Sequence, residues 1–299
     1  MPALRAAIVG AGLIGMDLFH RIREVDDIEV AMIIGRSRTR RLGQLGEQGY
    51  AVSYRGLVEE LDDGADFDVI FDATDARTHP GHWERARTTR SLMVDLTPSH
   101  VGVPVVPVVN IDHVRHSMNI SMVSCAGQAS IPILAKLVAH LAPGYVEVTA
   151  TAASSSFGPG TRRNANEFIE STRDAILELT GSPSAKFMAS VSPARPAPDF
   201  RLSVSLADCG RQVPDADLES LVQSVQDGVR RYSPGYSARL TCNTPEVVTV
   251  DVAVQAVAAT LPSHAGNLEI INGAAVQVAR LHGRSSGQRQ GQPGALMTA

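Results

Sequence analysis

Ala7-Ile-Val-Gly-Ala-Gly-Leu-Ile-Gly15, close to the start of the chain, decides how the rest is read. Its glycines form a GxGxxG pattern. The apolar run at residues 4–9 before it reads as a buried strand, and residues 14–22 after it read as a helix. Gly10 permits a tight turn. Gly12 lets the backbone come close to a pyrophosphate, and Gly15 lets the helix pack on the strand. The helix N-terminus favours the phosphate charge. The glycine pattern alone is weak, but between a strand and a helix it predicts a dinucleotide cradle. Its residues are Gly10, Ala11, Gly12, Leu13, Ile14 and Gly15.

The pattern extends outward from this turn. Residues 28–34 read as a second strand, 57–61 as a helix and 68–72 as a strand. Residues 83–89 read as a helix, and 92–96 and 121–124 as strands. Such alternation is that of a parallel sheet covered by helices, so residues 1–125 read as a Rossmann dinucleotide-binding domain. The second strand ends in Ile34-Gly35-Arg36-Ser37-Arg38, with no acid to accept from a ribose 2′-hydroxyl. Arg36 and Arg38 can pair with a 2′-phosphate and Ser37 can donate to it, which favours NADP over NAD. A solvated basic loop is the plainer alternative.

After about residue 145 the order becomes less regular. Residues 145–152, 200–206 and 247–258 read as strands, and 131–141, 166–179 and 216–229 as helices. The fold class is therefore α/β, a Rossmann domain plus an α+β domain over residues 126–265 that carries substrate and subunit contacts. Residues 266–282 predict a final helix packing back on the first domain. The tail, residues 283–299, is rich in Gly, Gln, Ser and Arg and predicts disorder.

Composition excludes several classes. With 44% hydrophobic and 19% charged residues and a net charge of -4, the chain is neither disordered nor a nucleic-acid binder. No apolar run approaches the ~20 residues of a membrane span, and the immediate start of a strand pattern leaves no room for a signal peptide. Cys125, Cys209 and Cys242 make an odd count without repeated spacing, which argues against a disulfide framework and for a reducing cytoplasm. No CxxC or HExxH spacing predicts a metal site. His79, His82 and His100 read as polar loop residues.

Met122-Val-Ser-Cys-Ala-Gly-Gln-Ala-Ser-Ile-Pro132 sets Cys125 between a strand and a helix. A lone cysteine is often a small buried hydrophobe. At a helix N-terminus, however, the partial positive charge favours a thiolate. Beside a nicotinamide, a thiolate can attack an aldehyde. The resulting hemithioacetal gives up a hydride, and a thioester remains.

Further motifs accompany it: Phe71-Asp-Ala-Thr74, Asp95-Leu-Thr-Pro98, residues 104–110, Gly158-Pro-Gly-Thr-Arg162 and Ala265-Gly-Asn-Leu-Glu-Ile270. With these, from residue 5 to about 281, the chain resembles the acylating acetaldehyde dehydrogenases. These convert short aldehydes, coenzyme A and oxidised nicotinamide cofactor to acyl-coenzyme A. The resemblance implies Cys125 as nucleophile, and Ala73, Thr74, Asn164 and Asn267 near the cofactor. It also implies a homodimer formed through the second domain, coenzyme A as co-substrate, and an aldolase partner.

The chain departs from the family pattern at several points. An acid thought to help the cysteine lose its proton corresponds to Leu202, and Asp199, three residues away in a strand, faces the other side. The family's Lys corresponds to Ser155, its acid after the second strand to Ser37, and its Tyr before Ala-Gly-Asn to His264. The stretch between residues 244 and 261 is shorter, which reduces the surface for an aldolase. An unperturbed imidazole changes charge near pH ~6.5, so His264 can replace the missing base; a plain loop residue is the alternative. The leading expectation is a nicotinamide-dependent acylating aldehyde dehydrogenase working through a Cys125 thioester in either direction. Two others stay open: hydride transfer without an acyl-enzyme, on an imine or another carbonyl, and a cofactor-binding protein impaired in catalysis.

Overall fold

The computed structural model describes residues 2–112 and 117–290. The first half lays down β1 (Leu4–Val9), α1 (Leu13–Ile22), β2 (Ile28–Ile34), α2 (Arg40–Glu47), β3 (Val52–Ser53), α3 (Leu57–Asp62), β4 (Val69–Asp72), α4 (His79–Ala86), β5 (Leu92–Asp95), β6 (Val103–Pro104), α5 (Pro107–Asn110) and β7 (Asn119–Ser121). The strands form one parallel sheet in the order β3-β2-β1-β4-β5-β7-β6. The four residues of β4 and the four of β5 are all buried, which is why each reads as an apolar run of three, closed by an acid, rather than as an alternating strand. Chain direction across the sheet reverses between β1 and β4, and a crevice opens there at the strands' C-terminal ends.

The second half follows with α6 (Cys125–Leu141), β8 (Pro143–Ala153), α7 (Pro159–Arg163), α8 (Ala165–Thr180), β9 (Ala185–Ser192), β10 (Phe200–Cys209), α9 (Asp215–Arg230), β11 (Tyr236–Asn243), β12 (Val247–Val254) and α10 (Gly266–Gln290). The sheet order is β11-β12-β10-β8-β9, antiparallel except for β8 with β9. Alternation in β10 buries Phe200, Leu202, Val204 and Leu206 on the face where α6 packs, and leaves Arg201, Ser203 and Ser205 on the other. The expected pairing of a Rossmann sheet with an α+β unit is what the chain forms.

The long helix starts at Cys125, six residues before its apolar run suggests. Ser124 caps it by accepting from the Gly127 N–H at 2.9 Å. Strands β9 and β11 and helix α2 were not anticipated. The final helix packs on α1 and α6. Arg21 Nη2 lies 2.7 Å from Glu269 Oε2, and Asn272 Nδ2 donates to Asp17 Oδ2 at 2.7 Å. The helix runs on to Gln290, past residue 282, where the composition predicts a disordered tail; residues 291–299 lie outside the described residues. Among the described residues no helix is long and apolar enough to cross a membrane, and the three cysteines are free.

Candidate active site

The glycine turn after β1 is built as its spacing requires. Gly10 has φ +101°, and a Cβ there would sit 2.7 Å from the Ala73 carbonyl oxygen. A Cβ on Gly15 would collide with the Gly10 carbonyl at 1.8 Å, so close helix–strand approach needs glycine. Gly12 has nothing within 4 Å of the same position, and no side chain caps the helix it begins. The first-turn N–H groups of α1 are thus left for an anion. They face an open cleft lined by residues 10–14, Arg36, Ser37, Ala73 and Thr74. The donors and the bare glycine fit the pyrophosphate of a dinucleotide.

Two basic residues behave differently from expectation. Arg38 does not line the cleft; its guanidinium lies over the Tyr54 ring, 5.8 Å from the centroid. Arg41, which the sequence reading passed over, reaches back from α2 to donate to the Ala11 carbonyl at 3.0 Å, tying the β2–α2 corner to the glycine turn. Arg36 Nη2 stands 3.9 Å from Asp75 Oδ2.

Cys125 opens α6 after a sharp bend. Val123 takes a left-handed conformation, φ 61°, which a β-branched side chain disfavours. Several contacts hold it. A Cβ on Gly127 would meet Val123 Cγ1 at 2.8 Å, so the helix turn must carry glycine there. The Gln128 amide donates to the carbonyls of Val105 and Met122. The Ser124 hydroxyl is 2.7 Å from that of Thr172. The bend delivers Cys125 to the wall of a narrow cavity that also includes Thr74, Thr97, Asn164, Phe168 and Asn267. This cavity shares Ile14, Ala73, Thr74, Gly160, Thr161 and Leu268 with the dinucleotide cleft, so the two lie side by side with a common wall.

The cysteine is 8% exposed. Burial pushes its thiol up to about 12, opposed by the backbone N–H groups of Ala126 and Cys125 at the helix start. Asn164 and Asn267 are both buried and line the cavity. Asn267 Nδ2 donates to the Ser156 carbonyl at 3.2 Å, while its Oδ1 is buried without a partner.

His264 does not line this cavity. Its Nε2 is 2.9 Å from the Ser155 hydroxyl, so two positions that depart from the family pattern meet each other instead of the thiol. The described cavity lining holds no Asp, Glu or His. Leu202 is 2% exposed in β10, paired with Ala150 and Val252, and is also absent from the lining. Reading His79 and His82 as loop residues is incorrect: both are buried in α4, each with Nδ1 within 2.9 Å of Asp72 Oδ2. Parallel pairing sets β4 beside β5, and the buried acid at its end draws the helix histidines inward. His100 is exposed, as read. Among the described residues no cluster of His, Cys, Asp and Glu is arranged to hold a metal ion.

Comparison with known proteins agrees with this geometry. The family profile for prokaryotic acetaldehyde dehydrogenase, dimerisation, matches residues 125–262. An acetaldehyde dehydrogenase of Streptomyces griseus is 34% identical over 286 residues, covering 94% of this chain and 91% of the relative. One from Geobacillus stearothermophilus is 34% identical over 93% of this chain and 96% of its own. Among solved structures, a probable aspartate-semialdehyde dehydrogenase from Pseudomonas aeruginosa shares the fold with a TM-score of 0.68 at 18% identity. The match covers 93% of this chain and 98% of that one.

Proposed function

The chain belongs to the acetaldehyde dehydrogenase family, and from that premise we propose that it is a nicotinamide-dependent, acylating aldehyde dehydrogenase with Cys125 as its nucleophile. The observation that carries this reading is the adjacency of the two cavities: the dinucleotide cleft shares the wall at Ala73, Thr74 and Gly160 with the cavity that Cys125 lines. Sγ attacks the aldehyde carbonyl, loss of hydride from the hemithioacetal leaves a thioester, and the thiol of coenzyme A then takes the acyl group. When bound, the oxidised nicotinamide supplies the hydride acceptor and a positive charge. The chain's part is to hold the carbon being attacked. Asn164 and Asn267 give amide partners inside the cavity, and the N–H groups of Cys125 and Ala126 offer positive potential where negative charge gathers. With no acid or histidine in the described lining, the thiol proton leaves by solvent or substrate rather than by a resident base.

NADP is the favoured cofactor in this reading, with Arg36 and Ser37 lining the cleft where no acid follows β2. The working unit is a homodimer in the cytoplasm. The dimerisation match covers the second sheet, whose outer face carries the partly exposed Thr149, Thr151 and Ser203 and the exposed Arg201 and Asp251. Incubation with acetaldehyde and oxidised cofactor, without coenzyme A, should leave an acetyl adduct on Cys125 by mass spectrometry. Cys125→Ser should lose both adduct and turnover. The deep burial of the thiol favours one second reading, hydride transfer with no acyl-enzyme, and full activity in Cys125→Ala would select it.

A further inference from the structure

Strands β4 and β5 end side by side on acids. Asp72 and Asp95 are paired in register at the middle of the parallel sheet, and both are fully buried. Each carboxylate folds the turn that follows it. Asp72 Oδ1 accepts from the Thr74 N–H at 3.1 Å and from the Thr74 hydroxyl at 2.6 Å. Asp95 Oδ1 accepts from the Thr97 N–H at 2.7 Å, and its Oδ2 from the Ser99 hydroxyl at 2.6 Å. Thr74 and Thr97 both line the Cys125 cavity. Between the acids stands His79, the first residue of α4, itself fully buried. Its Nδ1 is 2.9 Å from Asp72 Oδ2 and 3.5 Å from Asp95 Oδ1.

We propose that His79 is a positioning residue: by bridging Asp72 and Asp95 it locks together the two turns, at residues 73–74 and 96–98, that wall the cavity beside Cys125. The inference rests on the reading of that cavity as the reaction site. Two anions buried side by side repel in a medium that screens poorly, and a cation between them relieves the repulsion. Without it Asp72 keeps His82 and Asp95 keeps Ser99, but the two acids repel with nothing joining them, and the turns they hold are no longer tied to each other. The groups facing His79 are Asp72 from β4, Asp95 from β5, His82 from its own helix through the shared Asp72, and the neutral Asn119 from β7. Asn119 suits either protonation state. Its Nδ2 lies 3.3 Å from Nε2, and its Oδ1, buried without a partner, can accept from a protonated ring when the amide turns over. Burial opposes the charge on His79, but the hydrogen bond to Asp72 and the fields of Asp95 and Asp72 outweigh it and raise the imidazole pKa.

The test compares wild type with His79→Asn, whose amide keeps a donor near the place of Nδ1 but carries no charge. Hydrogen–deuterium exchange of the ligand-free protein is read at peptides spanning residues 71–78 and 94–100, with β10 as internal reference. Both turn peptides should exchange faster together, by roughly tenfold, while β10 is unchanged. In parallel, kcat with acetaldehyde should fall by roughly tenfold while the cofactor Kd changes by less than about threefold. Adding Asp95→Asn to His79→Asn removes one of the opposed charges and should recover part of the exchange protection lost at residues 71–78. Unchanged exchange, or loosening of only one turn, in a folded His79→Asn overturns the proposal. If that variant does not fold, the double variant carries the measurement: it must fold with both turn peptides still exchanging faster than in wild type, because the bridge is gone, and wild-type exchange at both turns there overturns the proposal. Failure of both to fold also overturns the proposal, because His79 would then hold the whole domain. The exchange readout needs no substrate, so failure of the Cys125 reading, seen as full activity in Cys125→Ser, is a separate result.

Discussion

Alkylation of Cys125 in the ligand-free protein gives a direct measure of the site's electrostatics. Replacing the partly exposed Cys209 and Cys242 by serine leaves one thiol to follow. Burial lifts that thiol from an ordinary 9.0 to about 12, a bias of about 4 kcal/mol against ionisation. The helix N-terminus recovers only part of what desolvation removes. At pH 7.5 the thiolate is then about three parts in 100,000. Neutral iodoacetamide, which reacts with the thiolate, should label Cys125 slowly, as followed by mass spectrometry. Its rate should climb about tenfold per pH unit from 7 to 10 without levelling, since the midpoint lies higher. A saturating oxidised nicotinamide cofactor should raise the rate at pH 7.5, because a positive ring near the sulfur favours the anion. A plateau with a midpoint below pH 9 in the free protein would refute the reasoning. It would mean that a group outside the described lining stabilises the thiolate.

Three further outcomes are expected. Ser37→Asp puts an anion at the end of β2, inside the cleft; the ratio of NADP to NAD affinity, measured by fluorescence titration, should fall by about tenfold or more. A wild type that binds NAD more tightly than NADP would undo that reading. Burial raises Asp95 from 3.8 to about 6, so its contribution to stability is complete below pH ~4 and is lost as pH rises through about 6. Asp95→Asn removes that term, and its unfolding free energy relative to wild type should improve by up to about 3 kcal/mol between pH 4 and pH 7 in urea titrations. The same difference at both pH values would count against a raised Asp95. Leu202→Asp buries a carboxylate between Ala150 and Val252, and should lower stability by about 3 kcal/mol or more in thermal melts. An unchanged melt would show that a polar partner reaches the site.

What the sequence alone determined is short-range. Gly10, Gly12 and Gly15 specify a turn because backbone conformation and close approach depend on the residue itself. The alternation of apolar runs and helical stretches specifies the parallel sheet for the same reason. Cys125 at a strand-to-helix junction was legible from the apolar runs on either side of it, while the start of its helix at the Ser124 cap was not. Strand β9 escaped because its burial alternates only weakly, so no strong period marks it, whereas β11 carries a period-two alternation from Tyr236 to Cys242 that was passed over. Tertiary structure alone decided the rest. Arg21 finds Glu269 across 248 positions of sequence, and His264 finds Ser155 across 109. The roles of His79 and His82 depended on β4 and β5 being neighbours. Only then do two acids share a buried floor, and histidines that read as loop residues become their partners. A side chain's charge and hydrogen bonds answer to whatever the fold brings within a few ångströms, and no local period in the chain records that.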